Sequence, residues 1–281
     1  MKIVSILCIS LILYFTSHSE VSQHLRARSI GETIGYIPER HVMKIISLNH
    51  KTMMSEWLFL KTIVYYGGKV EESTSGTKKA IDYPAMYKFM DVSTYIDPFN
   101  IDSYYFSQAI FPWEGMVKET NYLLERGLQH RTWDFYIPFF LSFNNFYFLK
   151  DYKNASRYME RAARLKREPL LMNLAARFMY ETNQTELAIA FLKEMIENTW
   201  NEKVKKSLLL RLQALEAIDS IQKAMRQYER VNNKRPEDLR ELIKKGFMAT
   251  IPKDPYGGEF YIDKDGKIKT TSMLIQKKQA L

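Results

Sequence analysis

The stretch NASRYMERAA at residues 154–163 places a small, a large and a small residue at Ala155, Tyr158 and Ala162. At that spacing the three share one side of an α-helix, where a ring lies between two positions that let a neighbouring helix approach. The order recurs downstream in LAIAFLKEM (187–195) as Ala188, Phe191 and Met195, with Met195 breaking the small-residue rule. Upstream it recurs in TNYLLERG (120–127) as Thr120, Leu123 and Gly127. The copies lie about 34 residues apart, the length of one helix pair with its turns. One helix pair cannot bury its apolar face alone, so stacked neighbours are implied.

Working outward, helical patterns run to about residue 245, with breaks near Asp97-Pro98, Phe111-Pro112, Gln129-His130, Lys150-Asp151, Glu168-Pro169, Thr182-Asn183 and Thr199-Trp200. The helices preceding the repeated motif are aromatic-rich, with Tyr104-Tyr105-Phe106 in one and Trp133 to Phe148 in the next. Pro138 inside the latter predicts a kink or a helix start. Earlier, MMSEWLFLKTIVYY (53–66) is helical in spacing, and Gly67-Gly68 is expected to end it. EESTSGTKK (71–79) is expected to be a mobile loop, and residues 20–50, with Gly31, Gly35 and Pro38, an irregular lead-in.

On these motifs the chain resembles tetratricopeptide-repeat proteins over roughly residues 84–215. It departs from the family's pattern in the first helix, where Trp, Leu, Gly and Tyr are not all present and Phe143-Asn144-Asn145 stands at small-residue positions. WLFLKTIVYYG (57–67) together with DYKNASRYMERAA also looks like a bacterial envelope group of such proteins, for which the resemblance implies no activity. In stacked helix pairs the first helices line a concave surface on which peptides dock. Tyr105, Gln108, Trp133, Tyr136, Asn144 and Tyr147 combine aromatic bodies with hydrogen-bonding tips, a composition favoured at interfaces, and are the partner-binding candidates. The competing reading places each of them in the core.

The C-terminal part is a different module. Lys205 to Val231 is an amphipathic helix, PEDLRELIKK (236–245) a short helix with Pro236 in its first turn and Gly246 as cap, and Phe260–Ile262 with Ile268–Thr271 a hairpin around Lys264-Asp265-Gly266. This order, with Asp254-Pro255-Tyr256-Gly257, resembles the globular end of type II secretion major pseudopilins over about residues 210–272. The pseudopilin processing site and apolar assembly helix are not in this sequence. The resemblance implies a shared folding module or a docking piece of a secretion or pilus system. Since related ends hold calcium, it also makes Asp254, with Asp263 and Asp265, weak calcium candidates. An ordinary hairpin turn is the simpler reading, because the EF-hand spacing and final Glu are missing.

Composition sets the outer limits. The chain has 281 residues, 46% of them hydrophobic, with 41 Lys+Arg against 32 Asp+Glu and a net charge of +9. That apolar fraction excludes wholesale disorder. One cysteine, Cys8, excludes a disulfide framework and a cysteine zinc site. The basic residues are spread out and no nucleic-acid reader motif is present, so nucleic acid is not an expected partner. Lys2, the apolar run Ile3 to Phe15 and the small residues around Ser17-His18-Ser19 read as a signal peptide, or as a short anchor if uncleaved. The expected location is therefore exported, periplasmic or anchored to the inner membrane facing the periplasm.

No HExxH pair, complete P-loop or GxSxG motif appears, and no cofactor is implied. The expectation is a mainly α chain: an α-solenoid of TPR-like helix pairs closed by a small α+β hairpin module. Its segments are 1–19 (signal or anchor), 20–83 (lead-in), 84–204 (repeats) and 205–281 (helix and hairpin module). The expected function is a non-catalytic scaffold binding another envelope protein through its aromatic concave face. The alternatives are a structural component of a pilus or type II secretion-like assembly and an enzyme with an unflagged site.

Overall fold

A computed structural model describes residues 9–18, 34–74 and 80–274. The protein is mainly helical, and the sheet among the described residues has two strands. Two compact units are formed, Met1–Arg131 and Thr132–Leu281.

The first unit contains α1 (described over residues 9–18), α2 (Arg40–Ile46), α3 (Lys51–Thr74), α4 (Tyr83–Ile96), α5 (Ile101–Ile110), a 3₁₀ turn (Phe111–Glu114) and α6 (Val117–His130). Helix α4 packs against α2, α3, α5 and α6, which explains why Met86, Phe89, Met90 and Val92 are all buried. Its start is fixed by Asp82, whose carboxylate accepts from the Ala85 N–H at 2.9 Å, with Pro84 in the first turn. Asn100 caps α5 in the same way, accepting from the Ser103 N–H at 3.0 Å.

The seam between α3, α4 and α5 is polar and closed on itself. The Ser55 and Ser93 hydroxyls lie 2.8 Å apart, Ser93 and Ser103 also 2.8 Å, and Asn100 Nδ2 donates to Ser55 Oγ at 2.9 Å. Small hydroxyl side chains let the helices come close while every buried polar atom named here finds a partner. Farther out, Arg126 donates to Asp91 Oδ1 at 2.7 Å, to the Asp91 carbonyl at 2.9 Å and to Thr94 Oγ1 at 2.6 Å. Arg40, Lys44 and Arg126 surround the Tyr95 ring at 5.1, 4.9 and 5.6 Å from its centroid, tying α2 and α6 to α4.

Two expectations for this unit are corrected or fall outside it. Helix α3 does not stop at Gly67-Gly68 but continues to Thr74, so the first residues of the expected 71–79 loop are helical. A glycine ends a helix by taking a left-handed conformation, and both of these keep helical backbone. The helix instead carries the buried Lys69 over the Tyr65 ring at 5.8 Å. Residues 75–79, Cys8 and the expected cleavage position before Glu20 lie outside the described residues. In the described part of the apolar N-terminal run, Ile9 and Leu11 to Phe15 are exposed on helix. Among the described residues no helix is long and apolar enough to cross a membrane.

The second unit contains α7 (Tyr136–Asn144), a π-helical turn (Asn145–Leu149), α8 (Tyr152–Leu165), α9 (Pro169–Glu181), α10 (Thr185–Glu197), α11 (Glu202–Asn232), α12 (Leu239–Lys244), β1 (Phe260–Ile262) and β2 (Ile268–Thr270). From α7 to α11 each helix packs on the next, α11 also meets α9, and β2 rests on α11. The core is apolar: Ala163, Met172, Ala175, Ala176, Met179, Leu192, Leu208 and Leu215 are fully buried. The positions read as small–large–small are buried in α6, α8 and α10.

Helix α12 begins at Leu239, not at Pro236, because Asp238 is the residue that caps it, accepting from the Arg240 N–H at 2.9 Å. Gly246 closes it with φ +77, and the Phe247 N–H bonds back to the Leu242 carbonyl at 2.8 Å. The hairpin pairs Phe260 with Thr270, Tyr261 with Lys269 and Ile262 with Ile268. Its turn is held by Asp263, whose Oδ1 accepts from the Asp265 and Lys267 N–H groups at 3.0 and 2.8 Å, with Gly266 left-handed.

Candidate functional site

The aromatic face that the sequence points to takes shape on α7 and the π-turn after it. Ile137, Leu141, Ser142 and Asn144 turn inward, which leaves Tyr136, Phe140 and Phe143 along the other side. The π-turn adds one residue per turn and rotates the rings that follow. It is locked by Asn145 Nδ2 donating to the Leu141 carbonyl at 2.7 Å and closed by left-handed Lys150, after which Asp151 caps α8. The result is a ladder of rings. Tyr136 stacks on Phe140 at 5.9 Å, and Phe143 stacks on Tyr147 at 5.4 Å and 6°. Phe146 stacks on Phe178 of α9 at 4.7 Å and 10°.

Between these rings lies a cleft of about 410 Å³ walled by Phe143, Phe146, Tyr147, Met159, Arg177 and Phe178, among others. A second cleft of about 320 Å³ shares Phe146, Arg177 and Phe178 and extends to Tyr152, Glu181 and Lys267. A third, about 160 Å³, shares Arg177 and Glu181 and reaches Tyr261 and Lys269 of the hairpin. The clefts therefore form a run from an aromatic end on α7 to a charged end on the β-ribbon. Glu181 is already neutralised there by Lys269 Nζ at 2.7 Å, and its carbonyl accepts from Lys267 Nζ at 3.3 Å. Arg177, exposed and common to all three clefts, has no hydrogen bond or ion pair among the described residues. The charged end thus carries surplus positive charge.

Of the six residues proposed from sequence, Tyr147 lines the main cleft, and Tyr136 belongs to the same ring ladder. Trp133 is 62% exposed just before α7. Asn144 is fully buried on the inner side of α7, so its amide serves the core and is not a surface contact. Gln108 is likewise buried, and Tyr105 half-buried, both on α5 of the first unit. Phe178 and Arg177 come from α9, where the sequence carries no signal beyond one more aromatic residue in an amphipathic stretch.

The aspartates marked as calcium candidates have other partners. Asp254 is buried and accepts from the Thr270 hydroxyl, from Ser272 Oγ at 2.6 Å and from the Tyr256 N–H at 2.9 Å. Burial pushes its pKa up, but these donors and the Gly258 N–H outweigh it and hold the carboxyl below its ordinary value. Asp263 is occupied by the hairpin turn, and Asp265 lends that turn its N–H. Among the described residues no group of three or more His, Cys, Asp or Glu is placed to hold a metal ion. No family model, curated protein or solved structure matches this chain.

Proposed function

We propose that this protein is a non-catalytic scaffold of the bacterial cell envelope, and that its second unit holds an apolar segment of a partner protein in the aromatic cleft between α7, the π-turn and α9. The observation that carries this reading is the cleft itself. Apolar side chains wall about 410 Å³ of open space, and stacked rings line it without filling it. Aromatic rings in such a setting supply large contact area for little conformational entropy, which is how a few residues come to dominate an interface. The reading takes α7–α8 and α9–α10 as TPR-like helix pairs, supported by the buried positions Ala155, Tyr158 and Ala162 against Ala188, Phe191 and Met195. Export or anchoring through the apolar N-terminal run places the partner in the envelope.

A photo-crosslinking residue at Tyr147, with a second at exposed Trp200 as control, tests this in the envelope fraction. One specific adduct from position 147, lost when Phe146 and Phe178 are both changed to Ala in a protein that remains folded, is the expected result. Equal adducts from positions 147 and 200, or none from 147, would overturn it.

A further inference from the structure

Helix α3 turns an apolar stripe away from its own core. Ser55, Leu58, Thr62, Tyr65 and Lys69 are buried against the first unit, whereas Met53, Trp57, Leu60 and Val64 on the opposite side are 63, 51, 58 and 42% exposed. The spacing of these four is four, three, four, which keeps them in one line along a helix and matches the d, a, d, a positions of a heptad. The helix thus has two working faces, one for its own unit and one with nothing over it among the described residues.

The charges beside the stripe indicate what covers it. With Trp57 and Val64 at a positions, Glu56 falls at g and Lys61 at the following e. When two such helices run parallel, each g residue faces the partner's e residue five positions on, so Glu56 meets the partner copy's Lys61 on both flanks. In an antiparallel pair the same flanks meet, placing carboxylate near carboxylate and ammonium near ammonium. Neither group is satisfied at home. Glu56 has no ion pair among the described residues, and Lys61 lies over the Trp57 and Phe89 rings at 5.1 and 5.2 Å with no carboxylate partner. Burial, with Asp102 and Asp97 close by, raises the pKa of Glu56, and burial lowers that of Lys61; each shift marks a charge lacking its opposite. Gly67 continues the stripe at the next d position. It has helical backbone, and a Cβ there would meet nothing within 4 Å in this chain.

We infer that two copies of this chain pair in parallel through α3, with Met53, Trp57, Leu60 and Val64 as the seam and Glu56–Lys61 pairs across it. The surface is on the first unit and is independent of the cleft proposed for a partner.

The full chain, with Cys8→Ser to remove its one cysteine, is tested by oxidative crosslinking and sedimentation. A parallel pair joins Met53→Cys to itself and Val64→Cys to itself. Crosslinking only in a mixture of the two single variants means an antiparallel pair and overturns the proposal. Glu56→Lys should weaken the dimer by about ten-fold at low salt, as should Lys61→Glu, since each variant turns two attractive pairs into two repulsive ones. The double exchange, or a mixture of the two single variants, should restore it. Met53, Glu56 and Val64 are exposed and Lys61 is half-buried, and an unchanged circular dichroism spectrum confirms folding of each variant. A monomer at every concentration, or a dimer indifferent to both charge reversals, rejects the inference.

Discussion

The two units are held together by different means. In the first, α3, α4 and α5 close over a chain of hydroxyls and one amide, Ser55, Ser93, Ser103 and Asn100, and Arg126 ties α6 to α4 through three hydrogen bonds. In the second, α8 to α11 close over alanine, methionine and leucine. Hydrogen bonds are directional and fix one arrangement of helices, whereas apolar packing is set by volume. The polar seam of the first unit is therefore sensitive to loss of a donor or acceptor, although Leu58, Met86, Met90, Leu123 and Leu124 around it are fully buried too. The apolar core of the second is sensitive above all to added volume. Asp254 is the exception that sharpens this contrast, a charge buried in the second unit as Arg211 and Asp219 also are, but with both carboxylate oxygens hydrogen-bonded.

The largest effect is expected at that exception. Asp254→Ala leaves two hydroxyls and two N–H groups without their acceptor and should cost the second unit about 3 kcal/mol. Hydrogen exchange resolved by segment should show the loss around the hairpin and leave the first unit unchanged. The carboxyl also fixes a pH dependence. Because its pKa is lowered on folding, its stabilisation is complete above the ordinary aspartate value of about 3.9 and is lost as pH falls through the depressed folded value. Asp254→Asn should flatten that acid-side loss, and an unaltered melting profile in acid would show that the carboxylate carries no such load.

Next comes volume. Ala188 is fully buried between helices, and Ala188→Leu should overpack the second unit by about 2 kcal/mol. The matching change in the first unit is Ser93→Ala, which keeps the volume and removes a hydroxyl that bonds both Ser55 and Ser103. A cost of about 1 kcal/mol is expected there. If Ala188→Leu proved neutral while Ser93→Ala was severe, the second unit would be loosely packed and the contrast would fail.

How far these features could be read from sequence follows from how local their causes are. Helix ends were legible because Asp97-Pro98, Asp151 and Glu168-Pro169 act within a few residues, through caps and through proline's missing N–H. The hairpin was legible for the same reason. The division after Arg131 was not, since His130-Arg131-Thr132-Trp133 contains no Gly or Pro and the boundary is set by which helices share a core. Which ring each aromatic of α7 and the π-turn would meet was not legible, because Phe146 stacks on Phe178 of another helix and that pairing is set by the fold. Asp254 was marked by its surroundings in sequence, but only the fold shows its oxygens already taken by Thr270 and Ser272.

Gly67-Gly68 is where a local signal misled, and it gives the smallest expected effect. Glycine in a helix interior costs roughly 0.5–1 kcal/mol relative to alanine, through the greater freedom of the unfolded chain. A Cβ at Gly67 meets nothing within 4 Å, so Gly67→Ala should stabilise the isolated first unit by about 0.5 kcal/mol. If α3 pairs with a second copy, the same methyl group enters the seam at a d position and adds apolar contact to the dimer. The two effects share a sign but differ in concentration dependence: a melting temperature raised more in concentrated than in dilute protein would show the seam. A uniform rise at every concentration would confine the role of Gly67 to its own helix and count against the paired seam.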